Sequence, residues 1–287
     1  MRKRIALISQ SSHHGGAETA FMNMLRVATS IGYQVSALFP NAKGPLFREA
    51  AKLGADTLTC EISRMLGDPV ATCNKLSGGS YKKMRELLSA HSIDLVISNS
   101  LSVFDGALAA AELNLPHIWS VHEIVEKSPE FTNGATALGT FGTWVSKLSD
   151  HVIYCSKSAR DASIEFLNHN IESTILAPYL AETIDQKKRP SIRKMNSKLN
   201  LFFIGAPTER KNHLFATEVL KALVMRGNNA HIYFIGDARD HTGLLDNLVR
   251  RRGMSNRVTR LGYVADPYKY FTGRSVNLIY ASKPFSV

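Results

Sequence analysis

The chain has 287 residues, 44% of them hydrophobic and 21% charged, a composition that excludes an intrinsically disordered chain and supplies apolar material for two cores. Its net charge is +11, with an isoelectric point of about 9.6, so an anionic partner is favoured: a phosphorylated small molecule, an anionic membrane surface or a nucleic acid. The three cysteines, Cys60, Cys73 and Cys155, form neither a CxxC pair nor an even framework, which fits free thiols in a reducing cytoplasm. The N-terminal basic residues precede only a short apolar stretch, and no run approaches the roughly 20 apolar residues of a membrane span.

In chain order the pattern alternates strand and helix. Ile5 to Ser9 is a predicted strand, about Ala17 to Ile31 a helix, and Gln34 to Phe39 a strand. A helix over Gly44 to Leu53 and a weaker strand over Leu58 to Ile62 follow. Tyr81 to Ser89 is helical, Asp94 to Ser98 a strong strand, and Phe104 to Glu112 helical. His117 to Val121 and Val152 to Cys155 are further strands. Short, β-branched apolar runs between helices argue for a parallel sheet covered on both faces.

Residues 181–198, "AETIDQKKRPSIRKMNSK", are polar, basic and without periodicity, and read as a linker. The alternation then restarts. Strands are expected at Leu199 to Gly205, Ala230 to Gly236, Val258 to Leu261 and Val276 to Tyr280, the last within a buried apolar run. Helices are expected at Asn212 to Met225 and Thr242 to Arg252, with a short one at Pro267 to Thr272. The expected organisation is α/β: a Rossmann-like domain over 1–180, a linker over 181–198 and a second, partial Rossmann-like domain over 199–287. In open α/β sheets ligands bind outside the carboxyl ends of the strands, so the chemistry is sought in the loops there.

The first such loop, "SQSSHHGGAETAF", carries Gly15 and Gly16 between a strand and a helix. It suits either close approach of a ligand to the backbone and the helix N-terminus or an ordinary turn. It matches neither GxGxxG nor GxxxxGK[ST], so a dinucleotide fingerprint and a P-loop are absent. His13 and His14 are adjacent with no third ligand evident, so no metal site is expected.

In "SVHEIVEKS", His122 directly follows a strand, and HExxE is not the zinc motif HExxH. The histidine is read equally as a functional group at the sheet edge and as a structural one. "FIGAPTERKNHLFATEVLKAL" places Arg210 and Lys211 in a loop between a strand ending at Gly205 and a helix. Two cations there form a diphosphate clamp with the helix dipole, or a pair of solvated charges. "FIGDARD" puts Gly236 and Asp237 at the next strand end. "LGYVADPYKYF" puts Gly262, Tyr263 and Val264 after the strand beyond, where backbone groups can hold the edge of a base or simply turn.

The ordered set GGAE, His122, "IG…ERKN", "IGD", "LGYV" and "VNLIYAS" resembles the retaining glycosyltransferases of the GT-B fold, group 1, also called family 4, over nearly the whole chain. The resemblance implies two Rossmann-like domains facing a cleft. A nucleoside-diphosphate sugar would be the donor, and the acceptor a saccharide or lipid-linked, in cell-surface polysaccharide or glycolipid synthesis. It further implies that Gly15 and Gly16 approach the donor phosphates or the acceptor, and that His122, with Lys211 and Arg210 a candidate catalytic residue, lies near the transferred sugar, where it need not be a general base. Lys211 pairs with the diphosphate, and Gly262 to Val264 line the base pocket. No metal or other cofactor is implied, because protein cations neutralise the leaving group.

Three departures stand out. Ala206 follows Gly205 where the family has Arg, and Arg210 is a candidate replacement for that cation. Asn277 stands where an Asp is common before the last strand. The two glutamates that follow "YAS" in the family are not present in "SKPFSV". That last departure gives the expectation of a C-terminally truncated sequence with poor activity, and an alternative reading as a noncatalytic remnant binding nucleotide or a partner protein. The location implied is cytoplasmic, with possible peripheral association with anionic membrane. Nucleic-acid binding lacks any recognition motif and is not expected.

Overall fold

The computed structural model describes residues 3–63, 80–124, 142–164, 167, 171–177, 198–205, 211–236, 242–264, 267–271 and 274–277. The chain divides into two compact units, Met1–Glu182 and Thr183–Val287.

The first unit is built on β1 (Arg4–Ser9), α1 (Gly16–Ser30), β2 (Gln34–Phe39), α2 (Pro45–Lys52), β3 (Asp56–Thr59), α3 (Ser80–Ala90), β4 (Leu95–Asn99), α4 (Phe104–Glu112), β5 (His117–Val121), β6 (His151–Tyr154), α5 (Lys157–Ile164) and β7 (Ser173–Ile175). The strands form one sheet in the order β3-β2-β1-β4-β5-β6-β7, with every pair parallel. The winding direction reverses between β1 and β4, which opens a crevice at their carboxyl ends.

Strands buried on both faces explain the apolar runs read from the sequence. From β1, Ile5 and Leu7 pack into one core with Phe21, Met22 and Leu25 of α1, while Ala6 and Ile8 pack into another with Met84, Leu88 and Val96. Full burial of such a side chain contributes about 2 kcal/mol. A third core gathers Phe104, Trp119, Val145, Val152 and Tyr154, with the Phe104 and Trp119 rings 5.0 Å apart. Gly106 of α4 allows close helix–sheet packing, since a Cβ there would lie 2.4 Å from Ile8 Cδ1 and 2.7 Å from Ser98 Oγ.

One buried histidine knits this sheet together. His117 hydrogen-bonds Leu148 O through Nδ1 at 2.8 Å and Ser98 Oγ through Nε2 at 2.9 Å, while its ring meets Trp119 edge-on at 4.7 Å. The carbonyl can only accept, so Nδ1 carries the proton and Nε2 accepts from Ser98. Burial pushes the His117 pKa down to about 4, against the pull of Leu148 and Asp150.

The second unit contains β8 (Leu199–Ile204), α6 (His213–Met225), β9 (Ala230–Ile235), α7 (Thr242–Arg251), β10 (Val258–Gly262), a 3-10 turn over Pro267–Tyr270, and β11 (Arg274–Asn277). Its sheet runs β10-β9-β8-β11, again parallel throughout. Leu201, Phe203, Leu220, Ile232, Phe234, Leu245 and Val249 form its core.

Several elements differ from the sequence expectation. The third strand lies at Asp56–Thr59, earlier than the predicted Leu58 to Ile62, because its register follows β2, with Leu38 opposite Leu58. α5 and β7 went unpredicted. β7 is exposed along its whole length and leaves no apolar signature. The last strand begins at Arg274, two residues before the predicted start, and lies at a sheet edge. Its Val276 is 44% exposed, although a buried strand was expected there. The predicted continuation to Tyr280 falls outside the described residues.

Candidate active site

In the first unit, the carboxyl ends of β1, β4 and β5 converge beside the switch point, and their side chains form one polar network. Asn99, Ser100 and Ser102, at the end of β4 and in the turn after it, are all buried. Ser100 Oγ donates to Glu123 Oε1 at 2.5 Å and accepts the Ser102 N–H at 3.2 Å, and Ser102 Oγ donates to Gln10 Oε1 at 2.8 Å. Loops following three different strands are thereby tied together. Ser100 adopts φ 101°, a region costly for a residue with a Cβ, and its carbonyl accepts the Trp119 indole N–H at 3.1 Å.

His122 stands at the end of β5, half-buried. Its Nε2 lies 2.9 Å from Asn99 Oδ1 and 3.0 Å from Ser120 Oγ, and its backbone N–H donates to Glu123 Oε2 at 3.1 Å. Burial pushes its pKa down, while the neighbouring Glu123 carboxylate pulls it up.

Gly15 and Gly16 open α1 at the same sheet end. Gly15 is the helix N-cap with extended backbone, φ −163°, and no side-chain cap. A Cβ at Gly15 would fall 2.3 Å from Glu18 Oε2, whereas one at Gly16 would meet nothing within 4 Å. Glu18, the last residue of the GGAE motif and given no role of its own in the sequence reading, is a buried carboxylate in the first turn of α1. Its charge already complements the helix dipole at the place where an incoming anion would sit. His14 Nε2 pairs with Glu49 Oε1 at 3.1 Å.

In the second unit, Gly205, Gly236 and Gly262 end β8, β9 and β10 and stand side by side. Gly205 N–H donates to Ile235 O and Gly236 N–H to Gly262 O, both at 2.8 Å. Gly205 (φ +146°) and Gly262 (φ +65°) hold conformations that a side chain disfavours. Tyr263 is 55% exposed and Val264 half-buried.

Lys211 lies alongside Gly205: its Cδ and Cε would be 3.8 Å from a Cβ placed there. Asn212, in the left-handed region at φ 48°, caps α6 by accepting the Phe215 N–H on Oδ1 at 3.1 Å. His213, the first residue of α6, also escaped the sequence reading. Its Nε2–H donates to Gly205 O at 3.2 Å, and its ring lies between Phe203 and Phe234, at 4.3 Å and 5.3 Å. Burial pushes its pKa down to about 4, opposed by the Gly205 carbonyl and reinforced by Arg260 and Lys211. His213 thus ties Gly205 to the start of α6 between two aromatic rings, next to Lys211 and a helix N-terminus, a combination suited to a diphosphate. Arg210 and Asp237 lie outside the described residues.

Among the described residues no cluster of three His, Cys, Asp or Glu side chains is placed to hold a metal, and no helix is long and apolar enough to cross a membrane. Asn99 was missed because the predicted strand stopped at Ser98. The legible signal was the polar run Asn99–Ser100–Leu101–Ser102 directly after a strong strand.

No curated protein matches the chain by sequence. Among solved structures, HepE of Anabaena, crystallised with UDP and glucose, is 18% identical with a TM-score of 0.70, over 93% of this chain and 71% of HepE. A glycosyltransferase from Rickettsia africae is 14% identical with a TM-score of 0.67, over 99% of this chain and 74% of its own. The lipopolysaccharide outer core galactosyltransferase WaaB is 14% identical with a TM-score of 0.59, over 93% and 70%. At these identities the likeness shows the fold, GT-B. The model of Glycosyltransferase Family 4 matches residues 14–173, more than half of the chain. The protein belongs to Glycosyltransferase Family 4, the retaining, nucleotide-sugar-dependent transferases.

Proposed function

We propose that this transferase takes a uridine diphosphate sugar as donor and passes the sugar to a saccharide or lipid-linked acceptor in cell-surface polysaccharide or glycolipid synthesis. The observation that carries the donor half is the row of Gly205, Gly236 and Gly262 at adjacent strand ends, with Lys211 beside Gly205 and α6 opening there. Bare backbone lets a nucleotide come close, and the lysine and helix N-terminus offer charge to two phosphates. Lys211 then offsets the negative charge that develops on the departing UDP. Tyr263 and Val264, next to Gly262, line the base, and Arg210, the residue before Lys211, supplies a second cation. Uridine is preferred over other bases because HepE, of the same fold, was crystallised with UDP-glucose.

In the first unit His122 meets the transferred sugar, and the Gly15–Gly16 loop receives the acceptor. Glu18 supports this assignment over a phosphate site, since a buried carboxylate beside Gly15 repels phosphate and accepts hydrogen bonds from hydroxyls. A lipid-linked acceptor agrees with the net charge of +11, which draws the protein to anionic bilayers.

The test is UDP release from UDP-glucose and UDP-galactose, offered with and without lipid-linked saccharides to wild-type protein and Lys211→Ala. The expected result is turnover of a UDP-sugar that the variant loses. Consumption of ADP- or GDP-sugars alone would overturn the uridine assignment, and equal turnover by the variant would overturn the role of Lys211.

A further inference from the structure

We propose that Asn99 is a positioning residue that locks His122 into a single neutral tautomer, proton on Nε2, leaving Nδ1 as a hydrogen-bond acceptor for a hydroxyl of the sugar ligand. The sugar half of this statement rests on the function proposed above; the tautomer half does not.

The lock is anchored at α1. The carbonyl of Ala17 can only accept, and Asn99 Nδ2 lies 3.0 Å from it, so that end of the amide must be the NH2 group. The other end, Oδ1, therefore faces His122 Nε2 at 2.9 Å. An amide oxygen accepts, so Nε2 must carry the proton. Ser120 Oγ, 3.0 Å from the same nitrogen, shares that N–H. Asn99 is fully buried and cannot turn over without setting two acceptors against each other at Ala17.

The consequence falls on the other ring nitrogen. Among the described residues both hydrogen bonds of the ring are made at Nε2. With the proton held there, neutral His122 presents only a lone pair at Nδ1, which accepts from a hydroxyl. A carboxylate at position 99 would favour the imidazolium and strengthen the ring as a base. The amide gives no such support, and burial also favours the neutral form. Glu123, the charged group beside the ring, acts the other way, but its Oε2 is engaged by the His122 backbone N–H and its Oε1 by Ser100 Oγ.

The test is long-range 1H–15N NMR of protein labelled with 15N-histidine at pH 7, the His122 signals assigned by loss in His122→Gln. Wild type should show a protonated, pyrrole-type Nε2 and an unprotonated, pyridine-type Nδ1. Asn99→Leu, matched in size, should give a mixture of tautomers, and Asn99→Asp a doubly protonated ring. A wild-type ring protonated on Nδ1, or an unchanged tautomer in Asn99→Leu, would overturn the lock. The wild-type spectrum decides the matter even where a variant fails to fold. In UDP-sugar turnover, Asn99→Leu should lower kcat roughly ten- to a hundredfold with little change in donor KM. An unchanged kcat alongside a scrambled tautomer would overturn only the sugar contact, separating it from failure of the donor assignment, in which no UDP-sugar binds at all.

Discussion

The two units place polar atoms at the carboxyl ends of parallel strands by opposite means. In the first, side chains do it: Gln10, Asn99, Ser100, Ser102, His122 and Glu123 bond to one another across three strand ends. In the second, Lys211 and the start of α6 do it, beside strand ends that Gly205, Gly236 and Gly262 leave clear of side chains. The contrast is sharpest at a shared conformational demand. Strand β8 runs into a glycine at φ +146°, while β4 runs into Ser100 at φ 101°. A serine accepts that cost where its hydroxyl is needed for Glu123 and Ser102; the glycine stands beside Lys211, where we propose that the donor approaches. The first arrangement offers side-chain donors and acceptors, whereas the second offers backbone without side chains beside one lysine.

The largest expected effect breaks the second site alone. Lys211→Ala should weaken UDP binding by about 10- to 100-fold, the value of a charge-assisted hydrogen bond or two, measured by calorimetry. The first unit should melt unchanged. Next comes a pH effect on the first unit. His117 is neutral when folded, with a pKa of about 4 against about 6.5 unfolded. Its contribution is present above pH 6.5 and is lost as pH falls towards 4, because the unfolded chain takes up the proton first. The loss amounts to roughly 3 kcal/mol, visible in denaturant unfolding at stepped pH and reduced in His117→Gln.

A smaller effect is expected at Gly44, where a Cβ would lie 1.9 Å from the backbone oxygen of Ser12. That oxygen also accepts the Leu46 N–H at 3.1 Å, so Gly44→Ala should displace the loop leading to Gly15 and cost about 2 kcal/mol by thermal unfolding. The smallest effect sharpens the comparison itself. Ser100→Gly relieves roughly 1–2 kcal/mol of backbone cost but removes the hydrogen bonds of Oγ, so stability should change by less than about 1 kcal/mol. Gly205→Ala gains nothing in return and should destabilise the second unit by about 1–2 kcal/mol. Equal responses at the two positions would erase the distinction drawn here.

The sequence carried the alternation of strands and helices well because strands buried on two faces must be apolar runs. β2, α4 and β5 fall at the residues expected, as runs bounded by clear turns. Elements failed where burial is slight: β3 and β7 lie at the edges of the first sheet, and β7 is wholly exposed. Glycines and the lysine of the second unit were legible, since a strand followed by Gly and then a cation is a local pattern. The network around His122 was not. Asn99, Ser100 and Glu123 acquire meaning only when parallel pairing brings the ends of β4 and β5 together, Asn99 opposite Ser120. Glu18 and His213 were hidden for a related reason: a polar residue in a first helical turn looks like surface until its neighbours are known.

The central claim, that the strand ends of the second unit hold the diphosphate of a nucleotide donor, is tested most directly by titrating the protein with UDP, UMP and uridine in a calorimeter, beside Lys211→Ala. The account predicts that UDP binds more tightly than UMP and that the variant loses most of this difference while binding uridine as before. Equal affinity for UDP and UMP in the wild type, or a difference untouched by the substitution, would contradict it.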